Sequence, residues 1–173
     1  MKKWLVVVVL FLSVWMLGGC KKEEALKDLA LDEIFTQEGT YFVYFYRDGC
    51  ADCEQIKPII LSYIEILKSN PEEYEGKSMI YAVNLSVEEN EKIFRVYSNS
   101  RLQWGTGQGA ELNFWVDGVT EADNLYIAST SSLISIGPNA EDDIIAQFEA
   151  QGYDAIYQRL AQHLNLPLEE AQQ

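Results

Sequence analysis

A strand-like run that stops at one cysteine and restarts as a helix constrains this chain more than any other feature. Tyr41-Phe42-Val43-Tyr44-Phe45-Tyr46 joins aromatic and β-branched residues without a polar break, which suits a buried strand. Arg47-Asp48-Gly49 interrupts the run, and Cys50-Ala51-Asp52-Cys53 follows. Beyond Cys53, apolar residues fall at Ile56, Ile59, Ile60, Tyr63, Ile64 and Leu67. That i, i+3, i+4, i+7 spacing predicts an amphipathic helix. Cys50 therefore sits between a strand's end and a helix's first turn. There the unpaired N–H groups and the helix dipole favour a thiolate over a thiol. A thiolate is the attacking species in thiol–disulfide exchange.

At the N-terminus, Lys2 and Lys3 precede an apolar run from Trp4 to Leu17, then Gly18, Gly19 and Cys20. A positive start, an apolar stretch and small residues have the layout of a secretory signal peptide. The run falls short of the roughly 20 apolar residues that a spanning helix needs. Leu17-Gly18-Gly19-Cys20 also resembles a lipobox, the signature of bacterial lipoproteins. The resemblance implies removal of residues 1–19, lipidation of Cys20, and anchoring to the bacterial cell membrane outside the cytoplasm. An uncleaved signal anchor is the alternative, and it exports the rest of the chain all the same.

Charge and cysteine usage narrow the chemistry. Without Lys2 and Lys3, 11 basic residues stand against 27 acidic ones, a net −16. So acidic a chain is a poor partner for nucleic acid, and its surface reads as a solvated one. With Cys20 assigned to the lipobox, Cys50 and Cys53 form an isolated C-x-x-C pair. A structural zinc site takes four nitrogen or sulfur ligands, and the chain adds only His163, far off in sequence. No metal and no cofactor are expected. A structural disulfide is the bland alternative in an exported chain. A three-residue spacing closes a very small loop, however, and removes little chain entropy.

The segment Tyr41 to Pro58, YFVYFYRDGCADCEQIKP, resembles the thioredoxin family's strand, active-site loop and kinked helix. Pro58 matches the family's helix-kinking proline. Later elements follow in order. Met79 to Leu85 reads as a strand, and Ser86-x-x-Glu89 as a capping box opening a helix to about Tyr97. Leu133–Ile136 and Ile144–Phe148 read as a closing hairpin around a Gly137-Pro138-Asn139 turn. Tyr153, Ile156, Tyr157, Leu160 and Leu164 space out a final amphipathic helix. The resemblance implies an α/β fold, a thioredoxin-like three-layer α/β/α sandwich with an insertion before the closing β-hairpin. The expected organisation is a signal peptide over 1–19, a tether over 20–28, a domain over 29–166 and a tail over 167–173.

Three positions depart from the family pattern. Tyr44 stands where the family has a buried aspartate that assists deprotonation of the second cysteine. Gly49 replaces the tryptophan before the pair. Thr130-Ser131-Ser132-Leu133 is the best match to the family's Thr-Pro-Thr-Leu, which puts Ser131 at the cis-proline position. In relatives that proline shapes the substrate groove and helps mixed disulfides release. The insertion, residues 98–127, carries Trp104, Gly105, Gly107, Gly109 and a hairpin signal at Asp117-Gly118. Its aromatics are expected to pack on the core, with a lid or docking surface for a protein partner near the cysteine pair as the alternative. The glycines lack the strand–loop–helix context of a phosphate site, and His163 reads as surface decoration.

Two functions follow as expectations. The first is a thiol–disulfide oxidoreductase in which Cys50 attacks, a mixed disulfide forms and Cys53 resolves it. Its partners would be exported protein thiols or disulfides and a membrane or extracytoplasmic redox partner. The second is an accessory or binding lipoprotein of the same fold, with a structural or vestigial C-x-x-C. Asp52 between the cysteines, with Asp48 and Glu54 beside them, disfavours a thiolate. Arg47 and Lys57 offset part of this, so the pair is expected to be a reductant or weak isomerase.

Overall fold

Alternation along Tyr41–Tyr46 sends Tyr41, Val43 and Phe45 to one side of a sheet and Phe42 and Tyr44 to the other, and both sides are covered. The computed structural model describes residues 26–94 and 116–167. The expected signal peptide over 1–19, Cys20 and most of the expected tether lie outside the described residues. So do Trp104, the glycine triplet, the rest of 98–115, and the tail beyond Pro167.

The architecture is mixed α/β. Among the described residues five strands, β1 (Lys27–Asp28), β2 (Tyr41–Tyr46), β3 (Ile80–Asn84), β4 (Ser132–Pro138) and β5 (Ile144–Gln151), form one sheet in the order β1-β3-β2-β4-β5. β1 and β2 run parallel to β3, while β4 runs antiparallel to β2 and β5. Among the described residues three α-helices accompany it: α1 (Ala51–Ser69), α2 (Glu88–Glu91) and α3 (Tyr153–His163). Among the described residues, no helix is long and apolar enough to cross a membrane.

The two long helices share one face. Ile56, Ile60, Tyr63 and Ile64 of α1 join Ile156, Tyr157 and Leu160 of α3 over Phe42 and Tyr44. Each such side chain contributes about 1.5–3 kcal/mol on burial. On the opposite face, Tyr41, Val43 and Phe45 meet Leu31 and Ile34, then Ile93, Val116, Leu125 and Ile127. The part of the expected insertion that is described, 116–127, thus packs on the core, as its apolar residues suggest.

Several local expectations need correction. Ser86 does not open a capping box: α2 starts after Val87 with no side-chain cap and ends at Glu91. The Ser86 hydroxyl instead accepts the Asp48 N–H at 3.0 Å, so the loop before the cysteines has claimed it. Lys27 and Asp28, expected in the tether, pair with β3 as an edge strand, where the Tyr46 hydroxyl donates to Asp28 Oδ2. Gly137 and Pro138 belong to β4, and the turn begins at Asn139, whose Oδ1 accepts the N–H groups of Glu141 and Asp143. Gly137 is needed there for space, since a Cβ would stand 2.6 Å from Thr40 Oγ1. At Asp117-Gly118 a turn forms and docks on the edge of β5, where Gly118 N–H donates to Ala146 O and the Asp117 carboxylate accepts the Phe148 N–H.

His163 is not decoration. Its Nε2 accepts the Ser78 N–H at 3.1 Å, and its ring meets Phe42 edge-on at 4.9 Å. The Ser78 carbonyl accepts from the Tyr63 hydroxyl at 2.6 Å. α1 and α3 thus grip the chain just before β3 from both sides. Accepting that N–H requires a neutral imidazole. Burial, then the charges of Arg159 and Lys77, hold His163 below its ordinary value near 6.5. The sign follows from linkage. Above about pH 6.5 both folded and unfolded chains carry a neutral His163. Below it the unfolded chain takes up the proton first, so stability falls with pH. One proton gives a slope of at most about 1.4 kcal/mol per pH unit. Denaturant melts from pH 7.5 to 5.5 should show this slope, and His163→Gln should flatten it. Parallel slopes for the two proteins would remove His163 from the account.

Candidate functional site

Gly49 makes the turn that aims Cys50. Its φ of 70° lies in the left-handed region, which costs glycine little and other residues more. Cys50 follows in an extended conformation as the N-cap of α1, and its carbonyl accepts the first helical hydrogen bond, from Glu54 N–H at 3.1 Å. Its sulfur takes the part that serine or aspartate usually plays at this position, accepting the Cys53 N–H at 3.2 Å. One helical turn on, Cys53 closes a disulfide with Cys50, with an S–S separation of 2.16 Å and a Cα–Cα distance of 5.2 Å. The two sulfurs are not equivalent. Cys50 is half-buried, whereas Cys53 is 5% exposed.

A second chain segment faces the pair. The Thr130 hydroxyl lies 3.4 Å from Cys50 Sγ. A disulfide sulfur carries no proton, so the hydroxyl is the donor. Cys50 Sγ therefore has two donors aimed at it, the Cys53 N–H and Thr130 Oγ1, and both would also stabilise a thiolate there. Ser131 comes next, fully buried and at φ 57°, a conformation uncommon outside glycine. Its carbonyl accepts the Gly152 N–H at 2.8 Å, which fixes the approach to β4. No peptide bond among the described residues is cis.

The charged neighbours divide by role. Asp48 is tied into the loop, with Oδ1 accepting from Asn84 Nδ2 and its N–H donating to Ser86. Arg47 lies over the Phe94 ring at 4.9 Å, a cation–π contact. Asp52, Glu54 and Lys57 are exposed along the first two turns of α1. Beneath them lies Tyr44, 2% exposed. Burial raises its hydroxyl to about 12; the Ser131 hydroxyl opposes this in part, and the charges of Asp52 and Glu54 add to it. Neither the Tyr44 nor the Ser131 oxygen makes a hydrogen bond of ordinary geometry.

Sequence reading brought together Cys50, Cys53, Asp52 and Ser131, and the fold assembles them at one end of the sheet. It missed Thr130 as a sulfur partner and Asn84 and Ser86 as anchors of the loop. The place of Thr130 just before Ser131 was the available signal. An apolar cavity of about 340 Å³ between α1 and α3 is lined by Ile59, Tyr63, Ile66, Tyr157, Leu160 and Leu164 among others. Neither cysteine borders it. Among the described residues, no group of three or more His, Cys, Asp or Glu is placed to hold a metal ion.

Fold and site define a mixed α/β protein with a C-x-x-C disulfide capping its long helix. No protein-family model matches the chain, and no curated protein matches it.

Proposed function

We propose that this protein is a thioredoxin-like thiol–disulfide oxidoreductase that acts on exported proteins while lipid-anchored through Cys20 outside the cytoplasm. The observation that carries this reading is the asymmetric disulfide at the N-terminus of α1, with Cys50 half-buried and Cys53 buried. In the reducing direction, the Cys50 thiolate attacks a substrate disulfide. A Cys50–substrate bond forms, and one substrate sulfur leaves as a thiolate. Cys53, deprotonated, then attacks Cys50 Sγ and releases the second substrate thiolate. The protein ends oxidised, the substrate gains two electrons, and protons from solvent complete its thiols. A dithiol partner resets the site by the reverse exchange. Helix N–H groups and the Thr130 hydroxyl support the Cys50 thiolate.

The acidic first turn sets the direction. Carboxylates at Asp52 and Glu54 oppose the helix dipole at Cys50 and leave the reduced form less stabilised. Strong oxidants of this chemistry instead rest on a very stable reduced form, at about −120 mV. Titrated against glutathione at pH 7, the full chain should show a potential well below that value. Asp52→Asn should move it upward, as the Cys50 thiolate gains stability. A wild-type potential near −120 mV, or no movement in Asp52→Asn, would contradict the reductant or isomerase assignment.

A further inference from the structure

Three costly features meet next to the segment that touches Cys50. The Tyr44 and Ser131 hydroxyls are buried beside each other, and neither makes a hydrogen bond of ordinary geometry. Ser131 also holds a left-handed backbone that serine seldom adopts. An unsatisfied buried hydroxyl is costly, and such features persist where the surroundings impose them, frequently at functional sites. Their position is specific. Thr130, the preceding residue, touches Cys50 Sγ, while Tyr44 sits on the α1 side of β2 beside Ser131. Cys53, the buried cysteine, projects inward from the first turn of α1.

We propose that the Tyr44 and Ser131 hydroxyls are hydrogen-bond donors reserved for the Cys53 sulfur once the disulfide opens. The inference rests on the redox reading above and names what stabilises its reduced state. When a partner thiolate attacks Cys50 Sγ, the Cys50–Cys53 bond breaks and its electron pair goes to Cys53. That sulfur then carries negative charge in an apolar surrounding, where an unpaired charge is costly. Donors already in place meet this need with little rearrangement, whereas the neutral disulfide sulfur draws on them weakly. Tyr44 keeps its proton throughout, since burial holds the phenol neutral up to about pH 12. Both side chains act on Cys53 and leave attack at Cys50 to the helix terminus and Thr130.

The test is a thermodynamic cycle on the full chain in detergent, using Tyr44→Phe and Ser131→Ala, each of which deletes one oxygen. Equilibrated with dithiothreitol, each variant should favour the disulfide about tenfold more than wild type, a fall of about 30 mV. Thermal melts supply the second arm. In the oxidised form each variant should melt no lower than wild type, because an unsatisfied oxygen has been removed. In the reduced form each should melt lower. An unchanged equilibrium in Tyr44→Phe, or equal melting losses in both redox states, overturns the assignment and marks the residues as packing alone. Failure here is separable from failure of the redox reading. Wild-type exchange with dithiothreitol reports on the latter, and only the variant-to-wild-type ratio reports on the hydroxyls.

Discussion

Cys53→Ser should accumulate covalent complexes with exported proteins, Cys50→Ser should accumulate almost none, and either change should drop turnover to the uncatalysed rate. The difference follows from the burial of the two sulfurs. Cys50 is half-buried at the helix N-terminus with two donors aimed at its sulfur, so it is the atom a substrate disulfide can reach. Cys53 is 5% exposed, and its attack is confined to a bond formed one turn away. With serine at 53 the first exchange proceeds but the second cannot, because a hydroxyl is a poor substitute for a thiolate. Mixed disulfides then persist. With serine at 50 the remaining thiol is screened from large partners. Non-reducing gels with mass spectrometry of the trapped species read the outcome directly. Equal trapping by both variants would contradict the division of labour.

Cys20→Ser should move the protein from the membrane to the soluble fraction while leaving the Cys50–Cys53 chemistry intact. This expectation follows from the lipobox-like Leu17-Gly18-Gly19-Cys20. Each buried methylene of an acyl chain contributes about 0.8 kcal/mol, and a single chain anchors only marginally. Stable attachment therefore requires more than one chain on the modified cysteine. The acidic surface offers no compensating attraction to anionic lipid. Fractionation shows the shift, and intact mass shows the missing lipid. Full membrane retention of Cys20→Ser with an unchanged mass would favour the uncleaved signal anchor.

Where local pattern decided the structure, the sequence was a reliable guide. β2 is bounded at Tyr41 and Tyr46 as its composition predicts, and α1 begins directly after Cys50. α3 spans the stretch marked out by Ile156, Tyr157 and Leu160. Both helices are long enough for a 3.6-residue period to repeat, and β2 is buried on both faces, so each declares itself without reference to distant residues.

The failures share a different cause. β1 is two residues long and exists through its pairing with β3, so nothing within Lys27–Asp28 marks it. Ser86 carries a proper capping signature, but a loop 38 residues away in sequence recruits its hydroxyl. His163 looks like a surface residue until the fold brings Ser78 to its Nε2, across a separation of 85. Thr130 reaches Cys50 across 80. A side chain's partner at that range is set by topology, which local periodicity does not encode. The cysteine pair was legible because its chemistry depends on a local feature, the helix N-terminus. The Thr130 hydroxyl facing it was not, because it arrives from the approach to β4.

The most direct measurement is the rate at which the full chain, in catalytic amounts with excess dithiothreitol, reduces the disulfides of a folded test protein. The wild type should accelerate reduction well above dithiothreitol alone, with Cys50→Ser at the background rate. Equal rates for wild type, Cys50→Ser and dithiothreitol alone would make the Cys50–Cys53 disulfide a structural crosslink and contradict the proposed function.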